Sequence, residues 1–290
     1  MKLLIVANIS KPKVRPALDE LLPWIKQRVE VVGVDEDKSL PLADVDADAI
    51  LVLGGDGTLL SVARRLGGRQ TPVMGVNYGR LGFLASFTPA ELPTYFDLFV
   101  AGKLPTSPRL MLEVCTFGPG NDDLLTASGA CKAAKDRTIA LNDIVMTAGA
   151  PFRMIDLELG IDAHKGVRYS GDGMIVATPS GSTAYNIAAG GPILWPTVDG
   201  ICITPLCPHS LSFRPIVIGV NSSILITMKR VNPGSALVCD GQTTTNIVIG
   251  DRILIRRSDK ALQLVENPNL RQLDQLAEKL NWGKNPRYNR

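Results

Sequence analysis

AILVLGGDGTLLSVARRL, residues Ala49–Leu66, sets the architecture of the first part of the chain. Its apolar run Ala49–Leu53 stops abruptly at Gly54, and helical spacing takes over at Leu59–Leu66. A short, continuously apolar run fits a strand buried on both faces, and a strand that turns directly into a helix fits a parallel sheet covered by helices. Outward from this unit the alternation continues, with strands predicted at Leu3–Ala7, Val29–Val34 and Pro72–Val76. Helices are predicted over Arg15–Arg28, in spite of Pro16 and Pro23, and within Ala90–Ala101. After Pro105 the texture changes to short β-prone runs between turn residues: Leu110–Cys115, Thr138–Met146, Met154–Ile161, Met174–Ala177, Ile216–Val220, Ser223–Met228, Ala236–Val238, Thr244–Ile249 and Asp251–Arg256. That spacing predicts an antiparallel sandwich or a related β-rich domain. Gly118–Ala134 is small and polar and reads as a hairpin loop, whereas Leu270–Leu280 returns to helical spacing.

The chain has 290 residues, 45% of them apolar, enough for a substantial core, so a mainly disordered chain is excluded. Net charge is +3 with the basic residues scattered, which argues against an electrostatic nucleic-acid binder. Two histidines leave little room for a His-built metal centre. The five cysteines are odd in number and contain no C-x-x-C pair. The opening MKLLIVANISKPK reads as a first strand rather than a leader or a membrane span. A cytoplasmic protein with reduced thiols is the expectation. Cys202, Cys207 and His209 match no zinc spacing, and the cysteines are expected to pack as small hydrophobes.

Several segments can carry chemistry. GGDGT, Gly54–Thr58, brings backbone N–H groups to a helix start, a favourable place for an anion. Asp56 is its unexpected member, because a carboxylate repels bare phosphate. It fits if it takes a proton from an attacking hydroxyl or helps hold a metal ion that carries phosphates; it fits equally as the helix cap of a tight βα turn. Neither a P-loop nor a G-x-G-x-x-G is present. Asn142 and Asp143 stand inside an apolar run, where burial demands partners for both, unless they mark a strand end or bulge at the surface. GDGMIVATPSGSTAYNIAAGGPIL, Gly171–Leu194, joins an apolar strand to a turn rich in hydroxyls and glycine. Such groups suit the hydroxyls and phosphates of a nucleotide, with Tyr185 able to stack on a base, and the same composition also makes an ordinary strand-to-helix loop. Without G-x-S-x-G, Ser182 does not read as a hydrolase nucleophile. In CPHSLSFRP, Cys207–Pro215, His209 reads as a structural hydrogen-bonder, and Asp240-Gly241-Gln242 as a hairpin turn.

The order of these segments says more than any one of them. GGDGT, GRLGFL (Gly79–Leu84), LND (Leu141–Asp143), GDG…TPSGSTAYNIAAGGPI, CPHSLSFRP and DGQ together resemble the NAD kinase family over Ile50–Arg256. GGDGT alone is shared with lipid kinases and phosphofructokinases; the TPSGSTAY-to-GGPI segment is the specific part. The resemblance implies transfer of the γ-phosphoryl group of ATP to the 2′-hydroxyl of the adenosine ribose of NAD, giving NADP, with Mg²⁺ or another divalent metal carried by the ATP. It implies an α/β-plus-β fold: an N-terminal α/β domain with a Rossmann-like parallel sheet and GGDGT (1–106), a C-terminal β-rich, sandwich-like NAD-binding domain (107–266), and a C-terminal helix (267–290) packed back on the first domain.

By the same resemblance Asp56 is the base, with Gly57 in the same turn beside the substrate, and Phe83 packs near the adenine. Asn142 and Asp143 bind ribose hydroxyls on the nicotinamide side, and Thr183, Ala184 and Tyr185 line the dinucleotide pocket, with Asp240 a further pocket residue. Asp172 is expected to reach a neighbouring subunit's substrate, which calls for a homodimer or homotetramer with shared active sites. No side chain is assigned as a metal ligand. NAD and ATP are the expected partners, polyphosphate is an open alternative donor, and neither nucleic acid nor membrane is expected. Asp56→Asn is expected to keep the fold and much of the NAD affinity while losing most of kcat. Two positions depart from the family pattern: the second motif, often Asn-Glu, is Asn-Asp, and the position three after Tyr185, often Ser, is Ala188. The competing reading is a diacylglycerol- or sphingoid-type lipid kinase, which needs an apolar pocket for acyl chains. A non-catalytic dinucleotide sensor is a third reading, and the intact Asp56 argues against it.

Overall fold

The computed structural model describes residues 1–79, 82–120, 130–162, 164 and 166–280, and two compact units divide the chain. One comprises Met1–Leu59, Thr71–Pro108 and the chain from Gln263 onward; the other comprises Leu60–Gln70 and Arg109–Leu262.

In the first unit β1 (Lys2–Ala7), β2 (Glu30–Asp35), β3 (Ala49–Gly54) and β4 (Val73–Asn77) form a parallel sheet in the order β2-β1-β3-β4. Every residue of β3 and β4 is buried, as a strand covered on both faces requires. The helix α1 (Val14–Lys26) turns Val14, Leu18 and Ile25 inward. After α2 (Asp56–Arg65), the helix α3 (Leu92–Val100) does the same with Leu92, Tyr95, Phe96 and Phe99, the three-and-four spacing of one helical face. These side chains close one core with Leu3, Ile5, Leu51, Leu53, Met74 and Val76. Because the strands are parallel, their carboxyl ends share one edge, and the loops after β1, β2 and β4 leave there together with the GGDGT turn after β3. Near the end of the chain Leu264 pairs in parallel with Val73, and Asn267 Nδ2 donates to Ser86 O (3.0 Å) and Glu91 Oε1 (3.1 Å).

The second unit holds β5 (Thr106–Phe117), β6 (Asp136–Ala140), β7 (Asp143–Thr147), β8 (Ile155–Ile161), β9 (Val167–Gly171), β10 (Gly173–Ala177), the short helix α4 (Tyr185–Ala188), β11 (Gly200–Leu206), β12 (Ile216–Gly219), β13 (Ile224–Arg230), β14 (Ala236–Cys239), β15 (Thr243–Asn246) and β16 (Arg252–Val265). One antiparallel sheet runs β12-β11-β10-β7-β14-β15. The other runs β16-β13-β8-β9, with β5 paired to β16 and to β6. Ile144, Met146, Val176 and Ile203 from the first meet Leu157, Ile226, Ile253 and Ile255 from the second in a single core, the sandwich that alternating inward residues build. The helix α5 (Gln272–Leu280) follows β16 and belongs to the first unit.

Some elements differ from those expected. Thr138–Met146 is not one strand but two, because the Leu141 and Asn142 N–H groups leave the ladder and bond the Asp240 side chain. The strand β9 escapes notice because VRYSG lacks an apolar alternation, and β16 runs on past Arg256 through a polar, half-exposed stretch. Of the Gly118–Ala134 loop, residues 121–129 lie outside the described residues. Not every thiol is free: Cys115 of β5 and Cys131 are joined in a disulfide, in a small apolar cluster with Phe117 and Leu254. Cys202 is buried as expected and Cys239 is buried too, whereas Cys207, also expected to pack, lies exposed where the chain leaves β11.

Tyr169 pins one corner of the sandwich. Its ring is buried, and its hydroxyl lies 2.7 Å from Gly173 O and 2.6 Å from Leu206 O, tying β9 to the start of β10 and the end of β11. Tyr169→Phe strips both carbonyls of that donor and is expected to reduce unfolding free energy by about 1–2 kcal/mol. Urea denaturation measures it, and an unchanged midpoint would show that the hydroxyl contributes nothing.

Candidate active site

Asp56 opens α2 at the carboxyl edge of the parallel sheet, and its carboxylate is a clamp. Oδ2 accepts from Phe83 N (2.7 Å), and Oδ1 accepts from Ala85 N (2.9 Å) and Leu84 N (3.2 Å). The approach is so close that a Cβ on Gly82 would lie 1.7 Å from Asp56 Oδ1, so only glycine fits there. Gly57 follows in the first turn of α2, exposed. The motif residues Arg80 and Leu81 lie outside the described residues. Lys279 of α5, which no motif pointed to, places its Nζ 3.8 Å from the centroid of the half-buried Phe83 ring, a cation–π contact. Burial pulls the Lys279 pKa down to about 8, against the charges of Asp56 and Glu278, which favour the ammonium.

In the second unit Asp240 plays a similar part. It sits in the β14–β15 hairpin turn, where Asp240 (φ 53°) and Gly241 (φ 64°) both take the left-handed conformation of the tight turn expected of Asp-Gly. Its carboxylate accepts from Asn142 N (2.7 Å), Leu141 N (2.9 Å) and Asp143 N (3.1 Å). The turn so held then receives the TPSGSTAY segment. Thr178 N donates to Asn142 O (2.9 Å), Thr178 Oγ1 donates to Leu141 O (2.6 Å), and Gly181 N donates to Thr178 Oγ1 (3.0 Å). A Cβ on Gly181 would lie 1.9 Å from Asn142 O, which makes that glycine obligatory too.

Asn142, Asp143, Thr183, Ala184, Tyr185 and Asp240 are thus gathered into one cluster. Among the described residues Asn142 Oδ1 is buried with no hydrogen-bond partner, whereas Tyr185 is 51% exposed and its backbone N–H donates to the Asp143 carboxyl. Burial, and then the neighbouring Asp240 charge, push the Asp143 pKa up to about 7. Burial also raises Asp240, against its three backbone donors and the charge of Arg64. Ser182 and Asn186 are fully buried and structural: Ser182 Oγ donates to Pro179 O (2.7 Å), and Asn186 Oδ1 accepts from Thr204 Oγ1 (2.6 Å). Asp172 does not join this cluster. It is exposed just before β10, whereas Asp143 pairs with Ala177 at the other end of that strand, roughly 16 Å away at the rise of a strand. His209 is exposed, with its N–H on Ser170 O (2.9 Å). Among the described residues one trio has metal-ligating atoms close together, Glu113, Cys115 and Cys131. Its sulfurs are bonded to each other and Glu113 is held by Arg137 and Arg256, so it is no ligand set.

A glycine turn that pairs helix-start N–H groups with a carboxylate, and has no P-loop lysine, suits phosphoryl transfer to an alcohol, and the chain is a kinase. Residues 4–104 match the ATP-NAD kinase N-terminal domain and residues 141–267 the ATP-NAD kinase C-terminal domain. The chain is 36% identical over 293 residues to the NAD kinase of Geotalea daltonii, covering 98% of this chain and 99% of that one. It is 37% identical over 290 residues to the NAD kinase of Solibacter usitatus, covering 95% and 96%. It belongs to the NAD kinase family. The fold is also that of yeast NADH kinase, solved with NADH (TM-score 0.85, 23% identity, 100% of this chain and 90% of that one). An Archaeoglobus fulgidus NAD kinase solved with ATP superposes with a TM-score of 0.70 at 25% identity, covering 92% and 94%.

The raised Asp143 pKa has a thermodynamic consequence. Between pH 4 and 7 the folded chain keeps a proton that the unfolded chain has lost, so this group's contribution to stability falls as pH rises through that window and is least above 7. Asp143→Asn is expected to raise Tm relative to wild type by a few degrees at pH 8 and to change it little at pH 4.5, read by calorimetry. An equal shift at both pH values would overturn the raised pKa.

Proposed function

We propose that the chain transfers the γ-phosphoryl group of Mg-ATP to the 2′-hydroxyl of the adenosine ribose of NAD, making NADP, as a cytoplasmic homodimer or homotetramer. The observation that carries the acceptor is the LND turn: among the described residues its buried amide oxygen has no donor, the next residue's carboxyl is poised near neutrality, and that carboxyl accepts from the N–H of an exposed tyrosine. A buried acceptor left unpaired is costly, and a ribose hydroxyl satisfies it where an acyl chain would not. Membership of the NAD kinase family supports the same acceptor over a lipid. Asn142 and Asp143 would then hold ribose hydroxyls, with Thr183, Ala184 and Tyr185 along the dinucleotide. Asp172, remote from its own LND turn, would serve the substrate of a neighbouring copy.

The chemistry asked of Asp56 is modest. A carboxylate offers about four acceptor positions; among the described residues backbone N–H groups take three, which leaves one for the 2′-hydroxyl. Those donors fix the oxygen that is left, so the base is oriented before substrate arrives. In a loose phosphoryl-transfer transition state the hydroxyl proton leaves late, and a weak base suffices if it is well placed. The divalent metal comes with ATP as part of the substrate and neutralises its phosphates.

The clamp changes what a substitution at Asp56 reports. An amide would turn its own N–H groups toward a backbone donor, so Asp56→Asn should displace Phe83 as well as remove the base. The variant is expected to lose about 10²–10⁴-fold in kcat and, unlike the expectation from sequence, to bind NAD about tenfold more weakly. Coupled-enzyme assay of NADP together with calorimetric titration of NAD separates the two effects. Wild-type-like turnover in the variant would remove Asp56 from the base role, and a wild type that forms no NADP from NAD and Mg-ATP would overturn the whole reading.

A further inference from the structure

The GGDGT turn lacks the lysine with which a P-loop neutralises its phosphates, yet a lysine stands on it. Lys11, from the loop between β1 and α1, donates from Nζ to Gly54 O (2.8 Å). A methyl group added at Gly55 would lie 2.5 Å from that ammonium, and one added at Gly79 would lie 3.1 Å from it. The cation therefore sits on a backbone carbonyl at the entry to the turn, two residues before Asp56, close to Gly55 and Gly79, with Asn77 Oδ1 near both glycines.

The placement is built by the loop rather than left to a flexible side chain. Asn8 N donates to Leu53 O (2.9 Å) and Asn8 Nδ2 to Thr58 Oγ1 (3.3 Å), so the loop is tied to both sides of GGDGT. Lys11 N donates to Asn8 O (3.1 Å) and Val14 N to Lys11 O (2.9 Å), fixing the backbone that carries the side chain, and Pro12 restricts it further. Its partner is a carbonyl and not a carboxylate, so the ammonium's charge is not cancelled by that bond, and two of its three donors lie beyond it.

We propose that Lys11 is the residue that holds the phosphate chain of ATP at the GGDGT turn. This rests on the NAD kinase reading for the identity of the reaction. The small flanking residues let a phosphate oxygen come as close to Nζ as the backbone does. The helix-start N–H groups of α2 and the ammonium then act on the same oxyanions, and Asp56 is left to the acceptor hydroxyl. Lys11 binds the donor and positions it; the group that transfers never bonds to it.

Lys11→Met and Lys11→Arg test the assignment, with thermal melts to establish that both fold. Each is titrated calorimetrically with the Mg²⁺ complex of a non-hydrolysable ATP analogue, with adenosine and with NAD, and each is assayed for NADP formation. Lys11→Met is expected to weaken the ATP analogue about 10–100-fold and to raise KM for ATP alike, with NAD and adenosine affinity within about twofold of wild type. Lys11→Arg is expected to recover most of the loss. Unchanged affinity for the analogue in Lys11→Met, or equal losses for the analogue and NAD, would overturn the proposal. Lys11-dependent binding of the analogue by a wild type that makes no NADP would support the Lys11 assignment and remove the NAD kinase reading instead.

Discussion

Three backbone N–H groups in succession, those of Leu141, Asn142 and Asp143, point at one carboxylate, and much of the second unit depends on that contact. A chain that leaves a ladder in the interior of a sandwich must find new acceptors for its N–H groups, because buried donors without partners cost of order 1–3 kcal/mol each. Asp240 supplies them from a neighbouring hairpin, in a turn whose two central residues both need positive φ. Once the LND turn is fixed, the Asn142 carbonyl faces Thr178, the Thr178 hydroxyl bridges Leu141 and Gly181, and the chain beyond delivers the Tyr185 N–H to Asp143. Every later contact in that cluster presupposes the first.

The first unit uses the same device. Asp56 collects the N–H groups of Phe83, Leu84 and Ala85 and thereby shapes a segment that begins 27 residues further along the chain. At Asp56 a glycine makes the close approach possible, Gly82, whereas in the second unit Gly181 lets the TPSG segment come up to the Asn142 carbonyl. The two carboxylates differ in what else can reach them. Asp240 is 8% exposed and spends itself on its neighbours, so it acts on a ligand only through Asn142 and Asp143. Asp56 is half-buried, so it is the better placed of the two to meet a substrate directly.

Much of this is legible in the chain, for reasons that differ along it. Ala49–Gly54 announces itself because a doubly covered strand must be apolar throughout, and the glycine turn marks where it ends. Asn142 and Asp143 stand out as polar residues within an apolar run, but the run itself looks like one strand. The break depends on Asp240, 97 residues further on, and no local pattern carries it. For the same reason the sequence shows Asp240 as a hairpin-turn residue and hides its anchoring function. Lys279 and Lys11 are invisible in the sequence because a lysine in a loop or on an amphipathic helix is ordinary. Only the fold sets one against Phe83 and the other against Gly54. The Cys115–Cys131 bridge escapes a sequence reading because reduced thiols are the default where no pairing pattern shows.

The departure of the second motif from Asn-Glu to Asn-Asp has a physical consequence. A glutamate would carry its carboxyl one methylene further from the backbone. The aspartate instead stays buried, only 5% exposed, next to Asp240 and against the Tyr185 N–H. Burial and the neighbouring charge bring it close to neutrality, whereas a carboxyl extended toward water would remain an anion. A near-neutral carboxyl hydrogen-bonds hydroxyl groups in either protonation state, as donor or acceptor, and has little attraction for cations. On the proposed reading that is what a ribose needs: two hydroxyls that both donate and accept, met by a group that does the same. The shorter side chain then suits the turn to neutral hydroxyls.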